Sequence, residues 1–236
     1  MPDQKIGVWH WFDFASLDST NNYALSQASK LLRSQKNIYT AKTQTSGRGR
    51  RGRSWDSPLG NLYFSQLFFS SKSPTEMVYI TAFSIVQTIK KITAKHSPQI
   101  KWPNDILIND RKIGGILIEK SQEGAYIVGV GINLVSSPNL NAIYPAASLH
   151  DFEVNVSRDD FLKLYLEAFE DNLLQNFDVI KNNFLANAYK LNQDITIGLG
   201  DKEISGQFIG IDEKGFLLLK QKENISVINT GEILFS

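Results

Sequence analysis

Apolar and polar positions alternate between two periods along this chain. Residues 8–14, Val-Trp-His-Trp-Phe-Asp-Phe, are rich in aromatics and read as a strand. Apolar residues then recur at Ala24, Leu25, Ala28, Leu31 and Leu32, a helical spacing behind the capping cluster Leu17-Asp18-Ser19-Thr20-Asn21. A helix is therefore predicted to start near Asn21. Residues 38–43 and 62–69 are β-prone, the second strongly apolar, with a polar, glycine-rich connection between them. Ser73-Pro74-Thr75-Glu76 is a capping box that opens a helix to about Lys95. Its stripe of Val78, Ala82, Ile85, Val86, Ile89 and Ile92 is predicted to cover one face of a sheet.

From Gln99 the pattern is of strands again, at 101–105, 106–108, 111–119 and 126–134, with turn chemistry at Asn109-Asp110 and Glu123-Gly124. Ser157 begins a second capped helix to about Phe177, and a polar helical stretch follows to about Leu191. Residues 194–235 carry short β runs at 195–199, 202–212, 215–221, 225–228 and 232–235. They read as a small separate barrel or sandwich. Two domains are expected, residues 1–190 and 191–236.

Composition narrows the chemistry. The chain has 236 residues, 42% hydrophobic and 21% charged, with a formal charge of +1. Near neutrality argues against bulk electrostatic binding to nucleic acid or membrane. There is no cysteine, which excludes disulfides, zinc–thiolate sites and thiol nucleophiles. No apolar run is long enough to span a bilayer and residues 1–7 carry no secretory signal, so the expected location is cytoplasmic. With three histidines, a metal cluster is not expected.

Against that neutral background stands Gly47–Trp55, which sets Arg48, Arg50, Arg51 and Arg53 among Gly47, Gly49 and Gly52. Four guanidinium groups so close sit in solvent or await an anion. The loop joins two predicted strands, where ligand-binding residues tend to be mounted. The mid-strand glycine pair Gly114-Gly115 suggests a close approach to the sheet, or a bulge. Asn104, Asp105 and Asn133 offer oxygen ligands for a polar group or Mg²⁺. Neither a glycine-elbow serine nor a Walker-type loop is present, so phosphate would be met by side-chain cations plus metal. That set suits a nucleotidyl transfer.

Leu17–Asn21, Gly47–Trp55, Lys101–Asp105, Asp110–Gly115 and Gly129–Asn133 resemble the successive motifs of the biotin protein ligases, in order and at compatible spacing. The resemblance implies an α+β fold: a mixed β-sheet backed by helices, akin to class II aminoacyl-tRNA synthetases, with a small C-terminal SH3-like β-barrel. It implies ATP and biotin as substrates, with Mg²⁺, and a biotin carboxyl carrier protein as partner. Biotin would meet Ser19, Thr20, Asn21, Gln44, Gly47, Arg48, Gly49, Arg50, Lys112, Gly114, Gly115 and Gly131. The nucleotide would meet Arg50, Arg51, Arg53, Trp55, Asn104 and Asn133, with Trp55 stacked on adenine. Catalysis would fall to Lys112, Arg48 and Asp105.

The ligase pattern begins by Val8, so ligase activity without DNA binding is expected; homodimerisation is compatible with the resemblance but not required by it. Lipoate or octanoyl attachment and nucleic-acid binding by the arginine-glycine loop are the competing readings. The loop itself is predicted to be a lid whose arginines repel one another until an adenylate arrives.

Overall fold

The computed structural model describes residues 4–137 and 145–234. Strands β1 (Gln4–Ile6) and β2 (Trp9–Phe14) open the chain, the second where the aromatic run predicts it. Helix α1 (Thr20–Gln27) starts as expected but is short, ending in a 3-10 turn at Ala28–Lys30. Its buried stripe is Asn21, Ala24 and Ala28, whereas Leu25 and Leu32 are exposed. The apolar set read from spacing is thus wider than the face that packs.

Strands β3 (Lys36–Ala41) and β4 (Leu62–Phe68) flank the arginine loop. Helix α2 (Pro74–Ile92) carries the predicted capping box. Ser73 Oγ accepts from the Glu76 amide at 3.2 Å, and Glu76 Oε2 accepts from the Ser73 amide at 2.8 Å. This helix does more than cover a sheet. Met77, Tyr79, Ile80 and Phe83 are buried along with the expected Ala82, Ile85, Val86 and Ile89. The sheet packs on one side of it and helices α3 (Arg158–Leu173) and α4 (Phe177–Ala186) on the other.

The remaining strands of the large sheet are β5 (Gln99–Lys101), β6 (Asp105–Ile108), β7 (Arg111–Lys120) and β8 (Tyr126–Ile132). Eight strands run in the order β1-β2-β3-β4-β8-β7-β6-β5. Only β2 and β3 pair in parallel; the other neighbours are antiparallel. Period-2 alternation assigns the faces. Phe64, Phe68, Tyr126, Val128, Val130 and Ile132 point into the main core under α2 and α3. Leu67 and Ile127 point the other way, into a small cluster with Ala24, Ala28 and Tyr39 under α1.

A second, antiparallel sheet comprises β9 (Asp194–Gly198), β10 (Glu203–Ile211), β11 (Leu217–Gln221), β12 (Asn224–Ile228) and β13 (Glu232–Ile233), in the order β12-β11-β10-β9-β13. The predicted final run extends to Phe235, which lies outside the described residues. Tyr79 joins the two sheets' layers: its hydroxyl donates to the Gly215 carbonyl at 2.5 Å and its ring stands 4.0 Å from that of Phe184, centroid to centroid. Among the described residues no helix is long and apolar enough to cross a membrane.

Candidate active site

A cavity of about 490 Å³ opens on the sheet face turned away from α2, beyond the end of α1. Its floor follows from strand alternation. Gly115 and Leu117 of β7 and Gly129 and Gly131 of β8 line it. With no side chains at three of these positions, the space above the sheet is taken by residues from elsewhere. Trp55 lies on the floor: a Cβ on Gly131 would stand 2.6 Å from its indole, and one on Gly115 2.9 Å. Asn21 fills the place of a Cβ on Gly129. The close approach suggested by mid-strand glycines is therefore realised, by an indole and an amide.

Lys112 reaches this cavity because of a bulge. Ile106 pairs with Gly114 but Leu107 pairs with Lys112, which leaves Ile113 as an extra residue in β7. In an unbroken strand residues 112 and 115 differ by an odd number and face opposite sides; the insertion brings Lys112 onto the face of Gly115. Its Nζ then lies 2.7 Å from Asp105 Oδ1 and 5.3 Å from the centre of the Trp55 ring. The edge here is not open to strand pairing, because residues 145–147 bond to it: the Lys112 amide donates to the Pro145 carbonyl at 2.8 Å and the Ala147 amide to the Lys112 carbonyl at 2.9 Å. Lys101, 1% exposed, places its Nζ 3.9 Å from Asp105 Oδ2. Burial pushes the Lys101 ammonium below its ordinary range, while Asp105 opposes that shift. One carboxylate thus stands between two lysines.

The arginine loop folds back on itself above the floor. Gly49 donates to the Arg53 carbonyl at 2.7 Å and Trp55 to the Gly47 carbonyl at 2.8 Å, around a 3-10 turn at Arg50–Gly52. Its cations diverge instead of facing one another. Arg48 forks onto Glu119, with Nη2 to Oε1 at 2.8 Å and Nη1 to Oε2 at 3.2 Å. Arg50 Nη1 donates to Asn104 Oδ1 at 2.9 Å, and Arg53 Nη2 meets Glu232 Oε2 at 2.6 Å. Mutual repulsion is therefore not what organises this loop: each of these three arginines has an acceptor on a different element. Burial lowers the Arg50 pKa first, with Arg51 adding to it; a guanidinium so shifted is still a cation at neutral pH.

The far wall is polar. Gln44 Oε1 accepts from the Thr20 amide at 2.8 Å and its hydroxyl at 3.2 Å, while Gln44 Nε2 donates to Ser57 Oγ at 2.9 Å. Ser65 Oγ lies 2.8 Å from Thr20 Oγ1 and 2.5 Å from Asn21 Oδ1. Ser19, at the start of α1, makes no side-chain capping bond, so simple capping does not account for it.

The cavity gathers Ser19, Thr20, Asn21 and Gln44 on this wall and Arg48, Gly49, Arg50, Arg53 and Trp55 from the loop. Asn104, Asp105, Lys112, Gly115, Gly131 and Asn133 complete the predicted set along it. Three expected residues lie elsewhere. Gly114 faces the core, where a Cβ would come within 2.6 Å of Ile132 Cδ1, so it leaves no room for a ligand. Gly47 packs against the Trp55 carbonyl and Ser57 Oγ, closing the loop's own base. Arg51, at φ +56°, is exposed on the outer turn. Sequence reasoning missed Glu119, Gly129 and Glu232. Alternation from Gly115 and Gly131 could have found the first two; nothing local marks Glu232.

Of five buried side-chain polar atoms without a hydrogen-bond partner among the described residues, two, Trp55 Nε1 and Asn133 Oδ1, belong to residues that line the cavity. An unpaired buried donor or acceptor costs about 1–3 kcal/mol, so these two favour a polar ligand. No cluster of three or more His, Cys, Asp or Glu residues that could hold a metal occurs among the described residues.

Clustered cations beside a wall of hydrogen-bond donors and acceptors suit the cavity to a polar, anionic ligand. Comparison with known proteins makes the assignment specific. Residues 14–134 match the Biotin/lipoate A/B protein ligase family and residues 190–236 match the Biotin protein ligase C terminal domain, so the chain belongs to this family. It is 33% identical to the biotin–[acetyl-CoA-carboxylase] ligase of Paracoccus denitrificans, over 94% of this chain and 98% of that protein. It is 33% identical to the bifunctional ligase/repressor BirA of Escherichia coli K12, over 92% of this chain and 71% of that one. A solved biotin protein ligase from Aquifex aeolicus, in complex with biotin and ATP, superposes with a TM-score of 0.82 at 28% identity, covering 94% of this chain and 97% of that one. The chain is an enzyme of the biotin protein ligase type, α+β in fold, with an SH3-like C-terminal domain.

Proposed function

We propose that this enzyme activates biotin with MgATP to biotinyl-5′-AMP and transfers the biotinyl group to one lysine of a biotin carboxyl carrier protein. The observation that carries the reading is the Lys112–Asp105 pair set beside Arg50 above a glycine floor. In the first step a biotin carboxylate oxygen attacks the α-phosphorus. A carboxyl–phosphorus bond forms, the bridging α–β bond breaks, and pyrophosphate leaves. Lys112, Arg48 and Arg50 offset the charge that gathers there. Mg²⁺ would enter on the phosphates and supply further neutralisation.

In the second step the carrier's ε-amine attacks the acyl carbon. The new C–N bond replaces the C–O bond to AMP, and Asp105 is the nearest carboxylate to take the amine's proton. Biotin's ureido group needs both donors and acceptors, which Ser19, Thr20, Asn21 and Gln44 provide. Gly49 borders the space for its ring and chain, while Gly115 and Gly131 seat the Trp55 indole that floors it. Trp55, Asn104, Asn133 and Arg53 line the part assigned to the nucleotide, and Trp55 offers the adenine an indole face.

We assign this work to a catalytic domain of residues 1–190 and an assisting domain of residues 191–236. We read the enzyme as a cytoplasmic ligase, in keeping with its similarity to the Paracoccus ligase. The test is mass spectrometry of a carrier domain incubated with the enzyme, MgATP and either biotin or lipoate. A gain of one biotinyl group only in the biotin reaction supports the proposal; modification by lipoate alone overturns it.

A further inference from the structure

We propose that Glu119 is a positioning residue that fixes the hydrogen-bond polarity of the ligand wall and ties that wall to the arginine loop. The proposal rests on the ligase reading above. A single carboxylate meets both parts. Its Oε2 accepts from Asn21 Nδ2 at 2.9 Å and from Arg48 Nη1 at 3.2 Å, and its Oε1 accepts from Arg48 Nη2 at 2.8 Å. Arg48 also donates to Asn22 Oδ1 at 2.8 Å, so the fork is anchored on two consecutive residues of α1.

The consequence for the wall follows from donor and acceptor counting. A carboxylate only accepts, so Asn21 must turn Nδ2 toward Glu119 and Oδ1 away from it. That oxygen lies 2.5 Å from Ser65 Oγ, and an amide oxygen only accepts, so the single Ser65 hydrogen is committed to Asn21. Ser65 Oγ then stands 2.8 Å from Thr20 Oγ1 with acceptor capacity alone. Thr20's own hydrogen is consequently drawn to Ser65 or to Gln44 Oε1, and the face of Thr20 toward the cavity is an acceptor. Glu119, which does not itself reach the ligand wall's hydroxyls, thus dictates which ligand group Thr20 can take: an N–H donor, such as a ureido nitrogen. Asn21 cannot swing aside to Gly129 either, because it already occupies that space.

Glu119→Gln removes the charge, and its amide can donate as well as accept, which leaves the longer bond of Asn21 Nδ2 to the Leu117 carbonyl, 3.4 Å, as the remaining hold on the Asn21 amide. The expected result is a rise of about tenfold in KM for biotin and a similarly faster loss of bound biotinyl-AMP. KM for ATP and the melting midpoint are expected to stay unchanged. The polarity argument is isolated by the double variant Asn21→Asp with Glu119→Gln, in which the new amide donates to the new carboxylate and an acceptor again faces Ser65. KM for biotin should return toward the wild-type value. A wild-type KM and retention in Glu119→Gln, a double variant no better than Glu119→Gln, or a KM rise matched by a lowered melting midpoint would each overturn the proposal. Failure of the wild-type enzyme to form biotinyl-AMP would instead overturn the functional reading on which it rests.

Discussion

The two faces of the large sheet are built from the same strands yet have opposite contents. On β8, Val128, Val130 and Ile132 fill the core beneath α2 and α3, while Gly129 and Gly131 leave the other face bare. On β7, Ile116 and Ile118 pack inward while Gly115 and Glu119 face the cavity side. One face takes its shape from its own side chains. The other borrows Trp55, Asn21 and the arginines from distant segments and so can be rearranged by a ligand. Stability and function are separated by a single residue step along a strand.

Four substitutions sharpen that contrast. Lys112→Ala, on the cavity face, should lower adenylate formation by about 10²–10³-fold with the fold intact. Biotin-dependent exchange of pyrophosphate into ATP measures it, and full exchange by the variant would remove Lys112 from the chemistry. Gly131→Ala places a methyl 2.6 Å from the Trp55 indole, so the ring must leave the floor. KM for biotin or ATP should rise by about 10–100-fold, read in the same assay; unchanged constants would mean that the floor is not used.

Tyr63, on the cavity face of β4, donates to the Pro58 carbonyl at 2.8 Å, and burial pushes its pKa up to about 12. A raised phenol pKa means stability that is complete below pH 10 and lost as pH climbs through 12. Tyr63→Phe should flatten this loss by about 1.4 kcal/mol at pH 11, seen in urea midpoints from pH 9 to 12; parallel curves would contradict it. Ile132→Val, next to Gly131 but facing the core, should cost only about 0.5–1.5 kcal/mol in a denaturant titration while leaving both KM values alone. A kinetic effect there would erase the distinction between the faces.

Much of this was legible before folding because local chemistry carries it. The capping box at Ser73, the aromatic run of β2 and the turns of the meander each act within a few residues. The motifs that resemble biotin protein ligases converge on one cavity for the same reason that alternation works: Gly115 and Gly131 sit opposite each other across β7 and β8. What escaped was non-local or depended on parity. Gly114 and Gly115 look equivalent in a string but face opposite sides. The acceptors of Arg48 and Arg53 lie 71 and 179 residues away, and no local pattern announces them. The extent of α1 was overread because Leu25 and Leu32 fit a helical period without having anything to pack against.

The extra residue at Ile113 has a consequence for anyone who would change this chain. Deleting Ile113 would alter no charge, yet it would remove the bulge, turn the Lys112 side chain away from the cavity face and take from Asp105 its partner at 2.7 Å. Strand register is here as much a part of the cavity's geometry as the identity of the lysine. A redesign that tolerates many substitutions along this strand would tolerate no change in its count.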